Sequence, residues 1–70
     1  MTRCKFKCVT VLNNTDGSII ELTPVTSGSK ENADFFKYTP FGELKLGTVN
    51  PEAAKQFIPG KEYYLDITEA

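Results

Sequence analysis

Apolar and polar side chains alternate along the N-terminal segment, which predicts a β-strand over residues 2–12. The odd positions at its start form a basic face made of Arg3, Lys5 and Lys7. The alternation changes phase at Val9, so the second half of this strand should be covered on both faces or carry a bulge. Residues 13–17, Asn-Asn-Thr-Asp-Gly, favour a tight turn. We therefore expect a hairpin.

The return strand of this hairpin is predicted over residues 18–26, with Ile20 and Leu22 on one face. Pro24 has no N–H to donate, so this end of the strand should lie at an edge or a bulge. Ser29 is a good N-cap for a short helix over residues 30–36. The run Phe-Phe-Lys-Tyr could equally begin a strand, so helix and strand both stay open for this segment.

The C-terminal half contains the clearest signals for the ends of secondary structure elements. Residues 43–49 alternate and predict a third strand. Asn50 is a good N-cap and Pro51 suits the first helical position, so we expect a helix over residues 51–57, ended by the Pro-Gly pair at 59–60. Ala54, Phe57 and Ile58 should face the sheet. A last strand is predicted over residues 61–68.

These elements predict a mainly β (α+β) fold and a single domain of residues 1–70. The expected architecture is a small antiparallel sheet of four to five strands, curled toward a half-barrel, with one short helix in the C-terminal half and a second helical turn before the third strand. The acids of the last strand would complement the basic face of the first, since opposite charges attract across paired strands. We therefore expect the two terminal strands to be neighbours.

Charge is unevenly distributed along the 70 residues. The net charge is −1, but residues 1–30 have four basic and two acidic side chains, a balance of +2, whereas residues 31–70 have four and seven, a balance of −3. This composition is poor for a protein whose main task is to neutralise phosphates. No run approaches the ~18 apolar residues of a membrane span, and no secretion signal is evident. The expected location is therefore cytoplasmic, with no membrane partner.

The residue types argue against an enzyme. The chain has no histidine, which excludes a histidine base for nucleophilic catalysis. Cys4 and Cys8 would lie about 13 Å apart on one strand, too far for a disulfide. Two thiols without histidine also make a poor metal site. We expect both cysteines to act as small hydrophobic side chains, and we expect neither a catalytic residue nor a metal or cofactor.

Two groups of residues are candidates for binding. Aromatic residues are dense in segment 35–41, and the outward face of the last strand presents a tyrosine between two acids. We expect Phe36 and Phe41 to be core or turn-packing residues, which leaves the other side chains for a protein partner. The partner-binding candidates are Phe35, Tyr38, Glu62, Tyr64 and Asp66. For an alternative nucleic-acid surface, the candidates are Arg3, Lys5, Lys7 and Lys37.

Segments 36–44 (Phe-Lys-Tyr-Thr-Pro-Phe-Gly-Glu-Leu), 50–54 (Asn-Pro-Glu-Ala-Ala) and 59–66 (Pro-Gly-Lys-Glu-Tyr-Tyr-Leu-Asp) resemble a group of small phage- and prophage-encoded proteins, mostly of unassigned function. The resemblance covers mainly the C-terminal half, and its motifs are turns and caps. It implies an accessory protein in the cytoplasm of a host cell, one that acts by binding.

The leading hypothesis is thus a non-catalytic binding module that acts through protein–protein contact or self-association, including a homo-oligomer. Inhibition of a host factor and sequestration of a ligand are two forms of such binding. The alternative is a small OB-like barrel that binds single-stranded nucleic acid, which should weaken steeply with salt.

Overall fold

A computed structural model describes residues 2–70 and contains the predicted elements in the predicted order. The strands are β1 (Thr2–Asn14), β2 (Gly17–Pro24), β3 (Leu44–Thr48) and β4 (Glu62–Ile67), and the helices are α1 (Lys30–Tyr38) and α2 (Pro51–Ala54). All pairings are antiparallel in the order β3-β2-β1-β4. The sheet curls without closing, because β3 and β4 form its two opposite edges. The predicted fold class is confirmed.

The first strand joins the two halves of the sheet and contains a bulge. It pairs with β4 over residues 2–7 and with β2 over residues 6–14. The register to β2 shifts between Cys8 and Thr10, so of the two explanations offered for the phase change at Val9, the bulge is present. Val11, opposite Ile20, thereby returns to the face that Cys8 occupies opposite Leu22. The bulge explains why apolar residues change from even to odd positions along β1.

One face of the sheet holds the main core. Its buried cluster consists of Phe6, Cys8, Ile20 and Leu22. Half-buried side chains from β1, β3, β4 and the segment after α2 surround this cluster, and they are Cys4, Val11, Leu44, Phe57, Tyr63 and Leu65. The antiparallel pairing of β1 with β4 confirms that the terminal strands are neighbours, with Arg3 opposite Asp66 and Lys5 opposite Tyr64.

Segment 30–38 is a helix, which resolves the choice left open by its sequence. The Ser29 side chain accepts a hydrogen bond from the Asn32 N–H at 3.0 Å, as an N-cap does, and the helix extends two residues beyond the predicted end. Its contacts are with the face of the sheet opposite the main core, where Val25 is buried. The helix therefore covers the end of that face where β1 meets β4.

The second helix is shorter than predicted and ends at Ala54. The hydroxyl of Tyr63 accepts a hydrogen bond from the Ile58 N–H at 2.9 Å and donates one to the Gln56 carbonyl at 2.7 Å. These bonds hold the segment after α2 in a non-helical path. Ala54 is buried and Phe57 packs against the core as expected, but the expectation for Ile58 is wrong, since its side chain is 45% exposed.

Candidate functional site

The pairing of β1 with β4 assembles a polar cluster on the face that α1 covers. Arg3 and Asp66 form a bidentate ion pair, with distances of 2.6 Å from Nε to Oδ1 and 3.0 Å from Nη2 to Oδ2. The hydrogen bonds between the two side chains lower the pKa of Asp66 and raise that of Arg3. We use the term polar cluster for Arg3, Lys5, Glu31, Glu62, Tyr64 and Asp66.

Lys5 is the central cation of this cluster. Its Nζ lies 2.9 Å from Oε1 of Glu31 on α1 and 3.4 Å from Oε1 of Glu62 on β4. Its side chain is only 13% exposed, because the helix covers it. The hydrogen bond with Glu31 is the main reason that the pKa of Lys5 is raised. Lys5 therefore connects the helix to both terminal strands.

Tyr64 of β4 contacts α1 through its hydroxyl and β1 through its ring. The hydroxyl donates a hydrogen bond of 2.6 Å to Oε1 of Glu31, and the ring centroid lies 4.9 Å from the Arg3 guanidinium carbon and 5.6 Å from the Lys5 Nζ. Phe35 of α1 packs against this ring, with 6.2 Å between centroids. The hydrogen bond raises the pKa of Tyr64, and it is also the largest cause of the lowered pKa of Glu31, followed by the bond from Lys5.

Asn32 holds α1 against β4. Its side chain is 2% exposed, and its Nδ2 donates hydrogen bonds to the Ser27 carbonyl at 2.9 Å and to Oε2 of Glu62 at 2.7 Å. Within the part of the chain that the structure describes, its Oδ1 has no hydrogen-bond partner. Sequence reasoning did not select Asn32 or Glu31. The N-cap at Ser29 places both residues in the first helical turn, but the pattern does not indicate which side of that turn meets the sheet.

The aromatic residues after the middle of α1 are mostly exposed. Tyr38 is 79% exposed and Phe41 is 85% exposed, while Phe36 is 40% exposed and Phe35 is half-buried. The expectation that Phe36 and Phe41 pack in the core or a turn is thus wrong.

The backbone at Gly42 approaches the core closely. An added Cβ there would lie 3.4 Å from Cγ of Pro24 and 3.5 Å from Cζ of Phe6. The loop after α1 therefore brings backbone close to this end of the core, next to the exposed ring of Phe41.

A groove of about 300 Å³ separates the aromatic residues from the polar cluster. Its lining consists of Arg3, Glu31, Asp34, Phe35, Tyr38 and Thr39. We use the term aromatic surface for this groove together with the exposed ring of Phe41. Of the five partner-binding candidates from the sequence, Phe35 and Tyr38 line this surface, whereas Glu62, Tyr64 and Asp66 are engaged in the polar cluster.

The four basic candidates for nucleic-acid binding do not form a continuous free stripe. Arg3 and Lys5 are held by carboxylates of the polar cluster. Lys7 and Lys37 are exposed, and neither forms an ion pair with any side chain of residues 2–70. The Lys37 Nζ lies over the ring of Tyr38, 5.4 Å from its centroid. Two of the four positive charges are therefore already compensated within the protein.

The two thiols are free and belong to the packing of the sheet. Cys8 is buried, and this burial raises the pKa of its thiol, which keeps the thiol protonated at neutral pH. Cys4 is half-buried, with its Sγ 3.9 Å from the Thr39 hydroxyl. None of the helices in residues 2–70 is long and apolar enough to cross a membrane.

Comparison of the chain with protein-family models, with curated proteins and with solved structures gives no match. A functional assignment for this chain therefore depends on its own residues and their geometry.

Proposed function

We propose that this protein is a non-catalytic binding module that contacts a protein partner through the aromatic surface. The observation that carries the proposal is the exposure of Tyr38 at a groove that is large enough for a partner side chain, with the exposed ring of Phe41 three positions further along the chain. Exposed tyrosine and phenylalanine are enriched where proteins meet, since they offer a large contact area at a small cost in side-chain entropy.

The charges around the groove favour a partner with a basic side chain. Asp34 lines the groove and makes no ion pair or side-chain hydrogen bond among residues 2–70. The ring of Tyr38 already has the Lys37 Nζ over it, so Asp34 is the group that a basic side chain of the partner would pair with. A partner that inserts a lysine or arginine beside an apolar side chain would pair with Asp34 and pack against the exposed ring.

Binding of single-stranded nucleic acid has weaker support. Arg3 and Lys5, two of its four candidate residues, already have carboxylate partners, and the net charge of the chain is −1. A phosphate backbone would have to compete with Glu31 and Asp66 for these cations. Titration with oligonucleotides at about 50 mM salt tests this alternative, and tight binding that weakens steeply with salt would favour it over a protein partner.

The decisive test compares partner capture from host-cell extract by the wild type and by the double variant Tyr38→Ala/Phe41→Ala. We expect the double variant to lose the partner while keeping the far-UV circular dichroism and the Tm of the wild type, since both rings are in solvent. Val49→Ala is the matched control, because Val49 is an apolar side chain that is 83% exposed but lies outside this surface. If the double variant and the control capture the same proteins as the wild type, the aromatic surface is not the binding site.

Asp34→Lys tests the charge preference of the groove. For a partner with a basic side chain, charge reversal at Asp34 should weaken binding more than Asp34→Asn does. Equal binding by the two variants would contradict the predicted chemistry of the partner, without deciding whether the rings bind it.

A further inference from the structure

The outer edge of β3 is unpaired in the described chain. β3 pairs with β2 on one side, and no other strand within residues 2–70 lies on its second side. Alternate residues of an edge strand direct N–H and C=O groups away from the sheet, where another strand can bind them. The five residues of β3, Leu-Lys-Leu-Gly-Thr, thus offer a short template for strand addition.

The core face of the sheet is also incomplete at this edge. Leu46 lies directly opposite Ile20, so both side chains are on the core face. Ile20 is 0% exposed, whereas Leu46 is 41% exposed. No strand beyond β3 covers Leu46 in the described chain. A strand added to this edge would bury Leu46 and satisfy the unpaired backbone groups at the same time.

A second copy of the chain fits this edge in one favourable register. A two-fold axis perpendicular to the sheet keeps the two core faces on the same side and makes the β3 strands antiparallel. The central residue Leu46 then faces Leu46 of the second copy. Lys45 faces Gly47 of the second copy, and Leu44 faces its Thr48. A register centred on Lys45 would instead place two lysines opposite each other, which is unfavourable.

Gly47 leaves room for the facing lysine in the register centred on Leu46. A Cβ at Gly47 would have no atom within 4 Å, so space is open beside it for the side chain of a facing lysine. Lysine on an edge strand discourages pairing with another chain. In the register centred on Leu46 the single lysine of β3 faces Gly47, so it meets no like charge and no bulky side chain.

We propose that two copies of this chain associate through their β3 edges and form a continuous eight-stranded antiparallel sheet, with Leu46 packed against Leu46 of the second copy. Five residues in each strand bury less surface than a standard stable interface. The dimer should therefore be weak and depend on protein concentration. The dimer contact would lie at the β3 edge of the sheet. It is separate from the aromatic surface, because Arg3 of that surface belongs to β1, and β2 lies between β1 and β3.

The test uses two charge variants at one position, Gly47→Glu and Gly47→Lys, together with the wild type. Each variant places its new charge opposite Lys45 of the second copy, twice in each dimer. Analytical ultracentrifugation from micromolar to millimolar protein should show a dimer of the wild type. Its dissociation constant should fall in the glutamate variant and rise in the lysine variant, with roughly a tenfold difference between the two. The double variant Lys45→Glu/Gly47→Lys should recover the affinity of the glutamate variant.

Circular dichroism and the Tm of the dilute monomers show whether the variants fold, which we expect because the added side chains point into open space. Amide hydrogen exchange gives a second readout: the amides of residues 44–48 should gain protection as the concentration rises, while those of β4 should not. A wild type that is monomeric throughout would overturn the proposal. So would a dimer with equal affinity in both charge variants, or one that only Tyr38→Ala/Phe41→Ala dissociates.

Discussion

The two edge strands of this sheet differ in how their side chains are held. β4 presents Glu62, Tyr64 and Asp66 on its outer face, and each of them contacts β1 or α1 through its side chain. On β3, the polar side-chain contacts within residues 2–70 are a long ion pair between Lys45 and Glu21, at 3.9 Å, and a hydrogen bond from the Asn50 N–H to the Thr48 hydroxyl, and neither reaches β1 or α1. β4 is therefore fixed to β1 and α1 by polar side-chain contacts, whereas β3 depends on its backbone pairing with β2 and on the packing of Leu44 against the core.

The polar side chains of β4 thus have a structural task, because they hold β1 and α1 together. The tyrosine and acids of β4 have the composition of a binding surface, but their polar atoms already have partners inside the protein. Replacing those partners would cost the hydrogen bonds and ion pairs that hold α1 in place. Within residues 2–70, exposed rings follow the middle of α1 at Tyr38 and Phe41, and both edge strands, β3 and β4, have backbone groups with no strand beyond them. Glu62 and Tyr64 therefore hold α1 against the sheet and Asp66 holds β4 to β1, whatever further contacts their exposed parts make.

The largest effect should come from Asn32→Ala, which removes the link between α1 and β4. The truncation removes two hydrogen bonds, to the Ser27 carbonyl and to the Glu62 carboxylate, and a hydrogen bond contributes about 0.5–1.5 kcal/mol, or up to about 3 kcal/mol where one group is charged. We expect the free energy of unfolding in urea to fall by about 1–3 kcal/mol. Lys30→Ala, on an exposed position of the same helix, should change it by less than about 0.5 kcal/mol. Equal stability of the two variants would show that Asn32 does not hold the helix.

A smaller effect should appear as a dependence of stability on pH. The pKa values of Glu31 and Asp66 are lowered from their ordinary values of 4.5 and 3.8 by bonds from Tyr64, Lys5 and Arg3. A carboxyl group with a lowered pKa stabilises the fold above its ordinary value, and this contribution disappears as the pH falls through the lowered value. We therefore expect the Tm to decrease as the pH is lowered below about 4.

Glu31→Gln shows how much of this loss of Tm at low pH comes from the polar cluster and how much from protonation of the other carboxylates. At pH 7 this variant should have a lower Tm than the wild type, and the difference should shrink as the wild-type carboxyl becomes protonated. Glu69→Gln, at an exposed position near the C-terminus, is the control and should follow the wild-type curve at every pH. A constant difference between Glu31→Gln and the wild type would mean that the ionised carboxylate is not what stabilises α1.

The sequence predicted the elements well because their signals are local. Ser29, Asn50 and Pro51 determine where helices begin through bonds or constraints within a few residues, and these caps are present in the structure. The bulge in β1 was also readable, since a bulge shifts the phase of the hydrophobic pattern. Side-by-side placement of the terminal strands followed from complementary charges, which is a long-range inference that the register confirms.

The candidate site was less predictable because it depends on which surface each helix covers. Nothing in the pattern of α1 indicates that Glu31 meets Lys5 and Tyr64, since both contacts span more than 25 positions in the chain. The loop that contains the exposed Phe41 approaches Phe6 at Gly42, which is again a tertiary contact. The length of α2 was overestimated for the same reason, because the Tyr63 hydroxyl binds the backbone that would have continued the helix.

The smallest predicted effect tests how open the β3 edge is in the monomer. Gly47 has no positive φ and an added Cβ would meet nothing within 4 Å, so Gly47→Ala should stabilise the dilute monomer by about 0.5–1 kcal/mol through the lower entropy of the unfolded chain. The matched control is Gly60→Ala, where space is equally open but φ is +93°, a conformation that costs alanine about 1 kcal/mol. Opposite signs for the two variants in urea unfolding would confirm that β3 is a regular and uncovered strand at Gly47. A loss of stability in Gly47→Ala would instead mean that this part of the edge is already occupied in solution.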